Sequence, residues 1–200
     1  MTKKILEFGS GKEWDDWTKE EYKDYVVHCV DPTYRETSMN INVCKYSDNI
    51  IDFLRKCNDE KFDYIYSNNV IEHISHTQYQ YLFYLLFLNS NVDAKMVIVT
   101  ADMNKLAEEI KKINGNMTAF SFNKWYTKCN YAVYADDSPH VSIMTPDILK
   151  YHATSEGLWS FDKVKYINEE DPWEMTAIFT SNKKSVDECR PKNKETLLRS

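Results

Sequence analysis

The sequence predicts an α/β fold: a mostly parallel seven-stranded sheet with helices on both faces and a C-terminal antiparallel β-hairpin. Three observations predict it. Short apolar runs rich in β-branched and aromatic residues recur at 5–8, 26–30, 41–44, 64–66 and 96–99, which is how strands covered on both faces read. Segments of helical length, such as 48–57 and 78–89, lie between them, so the order is β-α-β-α with right-handed crossovers. Near the C-terminus two runs, 163–167 and 174–180, are joined by "NEEDPW". That is a turn and not a crossover, so the two runs pair antiparallel.

Each element has its own signal. The first run, "ILEFGSGK", ends in two of the chain's four glycines, a pair that gives a tight turn and lets backbone N–H groups approach a ligand at a helix N-terminus. The second run, "VHCVDP", ends in Asp31, 22 residues beyond Gly9, where an acid bonds the ribose hydroxyls of a nucleoside in sheets of this kind. The alternative for Asp31 is a turn opened before Pro32. The third run leads into Lys45-Tyr46-Ser47-Asp48, where Ser47 is also a candidate cap for the next helix. Residues 79–88 are apolar around most of the helix circumference, the mark of a helix buried between the sheet and a neighbour, and too short to cross a bilayer. Thr145 as N-cap, Pro146 at the first helical position and Gly157 as closure frame a helix over 146–156. From Lys183 the chain is polar and reads as a flexible tail.

Composition narrows the classes. Two hundred residues, 42% hydrophobic and 28% charged, suit one soluble domain with a substantial core. A net charge of -6 without a long basic run gives no electrostatic footprint for nucleic acid. Five cysteines without a CxxC pair argue against a disulfide framework or a structural zinc site and fit reduced thiols in a cytoplasmic protein. No secretory signal precedes the first strand.

With these residues in view, the chain resembles the class I S-adenosylmethionine-dependent methyltransferases, a Rossmann-like family. "ILEFGSGK" is similar to their first motif, an acid followed by Gly-x-Gly after strand one, and "VHCVDP" to the acidic end of strand two. "FDYIYSNNVIEHI" (62–74) resembles the fourth-strand motif, and "HVSIMTPDILKYHATSEGL" (140–158) the helix before the terminal hairpin. The resemblance covers nearly the whole chain and implies one domain over 1–182, with an acceptor-binding insertion at about 102–145, followed by the tail at 183–200. A nicotinamide-binding fold would carry a third glycine where this chain has Trp14.

The resemblance implies S-adenosylmethionine as cofactor and S-adenosylhomocysteine as product. It places Glu7 near the methionine amino group, Gly9, Ser10 and Gly11 against the methionine part, and Asp31 on the ribose hydroxyls. The adenine edge is read from within 45–48, with Ser47 and Asp48 as candidates, and Ser67, Asn68 and Asn69 line the space beside the reactive methyl group. Methyl transfer is an in-line displacement on an activated sulfonium, so positioning and water exclusion carry much of the catalysis. An oxygen acceptor of high pKa also needs a base, and histidine is the natural one. His28 and His152 read as structural, and Glu72 and His73 as packing and capping residues. His140, which follows "YAVYADDSP" in the stretch where the family carries its acceptor-binding elements, is the candidate base that the resemblance implies, with Asn69 at the same catalytic end. Trp125, Tyr126 and Tyr134 lie in an aromatic-rich stretch suited to an apolar acceptor slot with a few orienting polar groups. No metal is expected, because Asn69 stands where the metal-binding members carry their first acid.

The expectation is methylation of a small molecule, O-methylation of a sugar or other metabolite first, by a monomer or homodimer without a nucleic-acid or membrane partner. A cap-type nucleic-acid methyltransferase and a non-catalytic cofactor-binding subunit are the alternatives. Glu13 and Trp14 replace the small residues that usually let the first helix pack close, which makes Trp14 and Trp17 candidates for closing the pocket.

Overall fold

The computed structural model describes residues 2–9, 24–34, 38–39, 42–57, 60–112, 142–169 and 172–184. Its elements are β1 (Lys3–Phe8), β2 (Tyr25–Val30), β3 (Ser38–Met39), β4 (Val43–Tyr46), α1 (Ile50–Lys56), β5 (Phe62–Asn68), α2 (Tyr79–Leu88), β6 (Ser90–Ala101), α3 (Met103–Lys112), α4 (Pro146–Thr154), β7 (Trp159–Lys165) and β8 (Glu174–Ser181). The strands form one sheet in the order β3-β4-β2-β1-β5-β6-β8-β7. From β4 to β6 all neighbours are parallel, whereas β8 runs antiparallel to β6 and to β7. The parallel core and the antiparallel C-terminal hairpin are as expected. The difference is β3, an eighth strand of two residues lying antiparallel on β4, too short to leave an apolar period.

Three strand boundaries differ from the apolar runs for identifiable reasons. β4 starts and ends two residues later than 41–44, because the Tyr46 ring belongs to the core: it stacks on His28 with centroids 5.8 Å apart and tilts against Phe53 at 4.7 Å. β6 begins directly after α2, and its first half is irregular. Asp93 there has a left-handed φ of 57°, and the pairing with β5 slips between Phe62 and Tyr64, which hides the strand period. β7 begins at Trp159, whose indole Nε1 donates to the Phe83 carbonyl at 3.0 Å, and stops short of Ile167, which is 69% exposed.

The larger core lies on the sheet face that carries Leu6, Phe8, Ile65, Met96 and Ile98. Helix α2 sits in it between α1 and α4 and buries Tyr79, Leu82, Phe83, Tyr84, Leu85, Leu86 and Phe87. At roughly 1.5–3 kcal/mol for each large apolar side chain, α2 is a principal anchor of that face, and its all-round apolarity is explained by burial. Among the described residues no helix is long and apolar enough to cross a membrane. Helix α4 starts as expected, with Thr145 Oγ1 accepting from the Ile148 N–H at 3.2 Å and Pro146 opening the helix. It ends at Thr154 and not at 156: Ser155 leaves helical geometry, Glu156 turns left-handed at φ 62°, and Gly157, at φ 71°, closes the short 3₁₀ turn that follows. A smaller cluster of Ile5, Val27 and Cys29, flanked by Tyr64 and Tyr66, occupies the other face.

His28 and His152 are packing residues. His28 is buried, with Nδ1 3.1 Å from the Tyr46 hydroxyl and its ring edge-on to Phe62, and burial holds its pKa below the usual histidine range. His152 lies edge-on to Tyr79 at 5.2 Å, and burial lowers its pKa as well. Among the described residues Cys44 and Cys57 are free thiols. Burial pushes the Cys57 thiol up to about 11, which leaves it protonated and unreactive near neutral pH.

Candidate cofactor and acceptor site

Because β4, β2, β1, β5 and β6 are parallel, their C-terminal ends share one edge of the sheet, where α/β proteins place their ligands. Three backbone hydrogen bonds join the residues that leave this edge: Gly9 N to Val30 O at 2.8 Å, Asp31 N to Tyr46 O at 3.1 Å and Asn69 N to Val99 O at 2.9 Å. Gly9, Asp31, Ser47 and Asn69 therefore follow neighbouring strands along one rim. A groove of about 420 Å³ at the opposite edge, lined by Lys3, Tyr25, Tyr64, Asp93 and Lys95, is remote from it.

Gly9 is required twice over. Its φ is 75°, in the left-handed region, and a Cβ built on it would stand 1.8 Å from Val70 Cγ2. Its N–H already serves the sheet, so any amide donors for a ligand come from the residues after it. Ser10 and Gly11 lie outside the described residues, as do Trp14 and Trp17.

Asp31 is 5% exposed. Its Oδ1 accepts from the Thr33 N–H at 2.8 Å and from the Thr33 hydroxyl at 2.5 Å. The turn at Pro32 is thus real, and it fixes the carboxylate at the rim. Glu7 is buried beside Cys29, whose Sγ–H donates to Oε2 at 3.7 Å, and stands in register with Tyr66.

Past β4 the side chains are engaged with the protein. Ser47 Oγ donates to the Tyr34 carbonyl at 2.6 Å, and Asp48 Oδ2 pairs with Lys56 Nζ at 2.6 Å. Ser47 does not cap α1; Asn49 does, its Oδ1 accepting from the Asp52 N–H at 2.9 Å.

At the end of β5, Asn68 is exposed and Asn69 adopts a left-handed φ of 51°, a conformation asparagine tolerates better than most residues. Ser67 is fully buried, and its Oγ has no hydrogen-bond partner among the described residues. A buried hydroxyl left unpaired is costly, and this one stands one residue before the rim. Trp125, Tyr126, Tyr134 and His140 lie outside the described residues; the described chain resumes at Ser142.

A polar cluster that sequence reasoning did not assemble completes the rim. Glu72 follows Asn69 on a short 3₁₀ turn, Ile71–His73. It is buried, and its Oε2 accepts from Thr100 Oγ1 of β6 at 2.9 Å. Burial holds its carboxyl above the usual glutamate range, only partly offset by hydrogen bonds from its own backbone N–H and from Thr100. Asp102, buried after β6, accepts the Tyr166 hydroxyl on Oδ2 at 2.6 Å and the Asn104 N–H on Oδ1 at 3.0 Å, so it caps α3 and ties the hairpin loop to the rim. Helix α3 itself falls within the stretch expected to bind acceptor. Asp102, two residues after the run "VIVT", was the available signal for its start. Among the described residues no three His, Cys, Asp or Glu side chains converge as metal ligands.

A parallel sheet ordered β4-β2-β1-β5-β6, extended by an antiparallel β8 inserted before β7, is the Rossmann-like fold of the class I methyltransferases. Solved structures agree. The plantazolicin methyltransferase BpumL, in complex with a triazolic desmethylPZN analogue and S-adenosylhomocysteine, is 12% identical, with 90% of this chain and 77% of that chain covered at a TM-score of 0.60. The N-methyltransferase NodS from Bradyrhizobium japonicum, in complex with S-adenosylhomocysteine, is 12% identical over 90% of this chain and 79% of that one, TM-score 0.55. The mycolic acid cyclopropane synthase CmaA1, complexed with S-adenosylhomocysteine and CTAB, is 14% identical over 89% and 77%, TM-score 0.56. At these identities the likeness establishes the fold. No family model matches the sequence, and no curated protein matches it.

Proposed function

We propose that this chain is an S-adenosylmethionine-dependent methyltransferase acting on a small molecule. The observation that carries the proposal is Asp31: a buried carboxylate, oriented by Thr33, at the end of β2 and beside the left-handed Gly9 turn that ends β1. Buried acids are tolerated where they are bonded and put to use. The residues at the rim fit the cofactor, with an acid for a diol, a turn for a chain that must come close, and a buried unpaired hydroxyl at Ser67. When bound, the cofactor supplies a methyl group on a positively charged sulfur.

In this reading Asp31 holds the ribose, Glu7 lies toward the methionine amino group, and Gly9, Ser10 and Gly11 form the turn against the methionine part. The chain at Ser47 and Asp48 borders the adenine; since both side chains have protein partners, their backbone is the better candidate for that contact. Asn68 and Asn69 flank the transferring methyl group, Trp125, Tyr126 and Tyr134 hold the acceptor, and His140 takes its proton if the acceptor atom is oxygen. Three comparison structures named for a plantazolicin methyltransferase, an N-methyltransferase and a mycolic acid cyclopropane synthase support a small organic acceptor, as does the net charge of -6. An oxygen on a sugar or similar metabolite is the first candidate. Free thiols at Cys44 and Cys57 among the described residues support a reducing, cytoplasmic setting.

Incubation with cofactor labelled on the transferable methyl group, alongside either a pool of small metabolites or capped RNA, separates the readings. Label is expected in the small-molecule fraction. Label confined to the RNA would establish the cap-type alternative, and cofactor binding with label in neither would point to a non-catalytic subunit.

A further inference from the structure

We propose that the groove at the sheet edge opposite the rim is a second small-molecule site, one that takes an aromatic ligand with an acid at one end and an amine at the other. No residue of the rim takes part in it, so the proposal does not rest on the methyltransferase reading.

The groove is made by an interruption in the sheet. Strand β6 pairs with β5 at Ser90 opposite Phe62, and again at Lys95 opposite Tyr64. One residue of β5, Asp63, therefore stands against four of β6, Asn91 to Ala94, and the surplus leaves the ladder. Asp93 turns left-handed there, at φ 57°. Asp63 holds the gap: its Oδ2 accepts from Lys4 N at 2.8 Å and its Oδ1 from Asn91 Nδ2 at 2.8 Å. With Lys3 and Tyr25 on the far side, the result is a groove of about 420 Å³, a volume suited to a small ligand.

The lining selects the ligand. Tyr25 and Tyr64 lie on the strands either side of β1, in register with Lys3 and Ile5, so their backbones are about 12 Å apart. A flat ring lying over β1 between them has a tyrosine on each side, and Val92, 39% exposed, adds an apolar wall. Four charged side chains line the groove, Lys3, Asp63, Asp93 and Lys95, and two are engaged elsewhere. Asp63 is held as above, and Lys95 Nζ donates to Asp162 Oδ2 at 2.9 Å and to Thr180 Oγ1 at 2.5 Å. Lys3 and Asp93, on opposite sides of β5, make no ion pair among the described residues. The Lys3 ammonium instead lies 5.8 Å from the centroid of the Tyr25 ring. A ligand with a single charge is attracted at one wall and repelled at the other, whereas one with both charges complements the two.

The test titrates the full chain and follows NMR shifts, with para-(aminomethyl)benzoate as probe and with benzoate and benzylamine as controls that keep the ring and one charge each. The probe is expected to give saturable shifts at Lys3, Tyr25, Tyr64 and residues 92–95. It should bind about three- to tenfold more tightly than either control, since each partly exposed ion pair contributes modestly. Lys3→Gln should lower the probe's affinity to that of benzylamine, and Asp93→Asn, which tolerates the left-handed turn, to that of benzoate. Both variants should keep the wild-type Tm and S-adenosylhomocysteine affinity. No shift at these residues with about 10 mM probe, equal affinity for the three compounds, or unchanged probe binding in both variants would each overturn the proposal. Probe binding by a wild type that does not bind S-adenosylhomocysteine would remove the methyltransferase reading and leave the groove assigned.

Discussion

Gly9→Ala is expected to destabilise the protein by about 2–5 kcal/mol, the sum of a left-handed backbone imposed on a residue with a Cβ and of overpacking against a stiff neighbour. The backbone φ of 75° supplies the first cost and the 1.8 Å approach to Val70 Cγ2 the second. The two are separable. Val70→Ala removes the methyl group in the way but leaves φ unchanged, so Gly9→Ala should cost at least about 1 kcal/mol less in the Val70→Ala background than in wild type. Denaturant unfolding of the four proteins measures it. Equal costs in both backgrounds would mean that Val70 yields freely and that only the backbone demands glycine.

The second large effect concerns a lysine far from the rim. Lys183 is 2% exposed; its Nζ donates to the carbonyls of Leu88 at 3.1 Å and Ser90 at 2.9 Å and lies 5.7 Å from the Phe87 ring centroid. It thus supplies a cation and donors where α2 ends and β6 begins, the Leu88 carbonyl having no helical partner there. Lys183→Met keeps most of the apolar stem and removes the donors. Leaving two buried carbonyls short of a partner costs about 2–4 kcal/mol, or roughly 5–15 °C in Tm for a chain of this size. Thermal unfolding of Lys183→Met checks this, and a Tm within about 1 °C of wild type would show that water reaches those carbonyls.

Lys183 also shows where the sequence is legible and where it is not. Read by composition, it opens a polar tail; in the fold it plugs the end of a helix nearly a hundred residues earlier. Apolar periodicity reveals which runs are strands because each strand is written locally, so the parallel core, the hairpin and the Thr145–Pro146 helix start are all visible in the chain. It fails where the determinant is a partner distant in sequence. β4 is shifted because Tyr46 must meet His28, and β7 starts early because Trp159 must reach Phe83.

The rim follows the same rule. Gly9 and Asp31 carry local signals, a glycine pair after a strand and an acid before a proline. The Glu72–Thr100 and Asp102–Tyr166 pairs join residues 28 and 64 positions apart, and no local pattern announces them. The engagement of Ser47 with Tyr34 likewise depends on the loop after β2 folding back, which spacing alone does not encode.

In the proposed reading, the rim formed by Gly9, Asp31 and the end of β5 binds S-adenosylmethionine. Calorimetric titration of S-adenosylhomocysteine into wild type and Asp31→Ala tests it most directly. Saturable single-site binding by the wild type is expected, weakened roughly 10- to 100-fold in Asp31→Ala, the loss of hydrogen bonds to a charged acceptor. No binding by the folded wild type at millimolar ligand, or equal affinity in the two proteins, would contradict it.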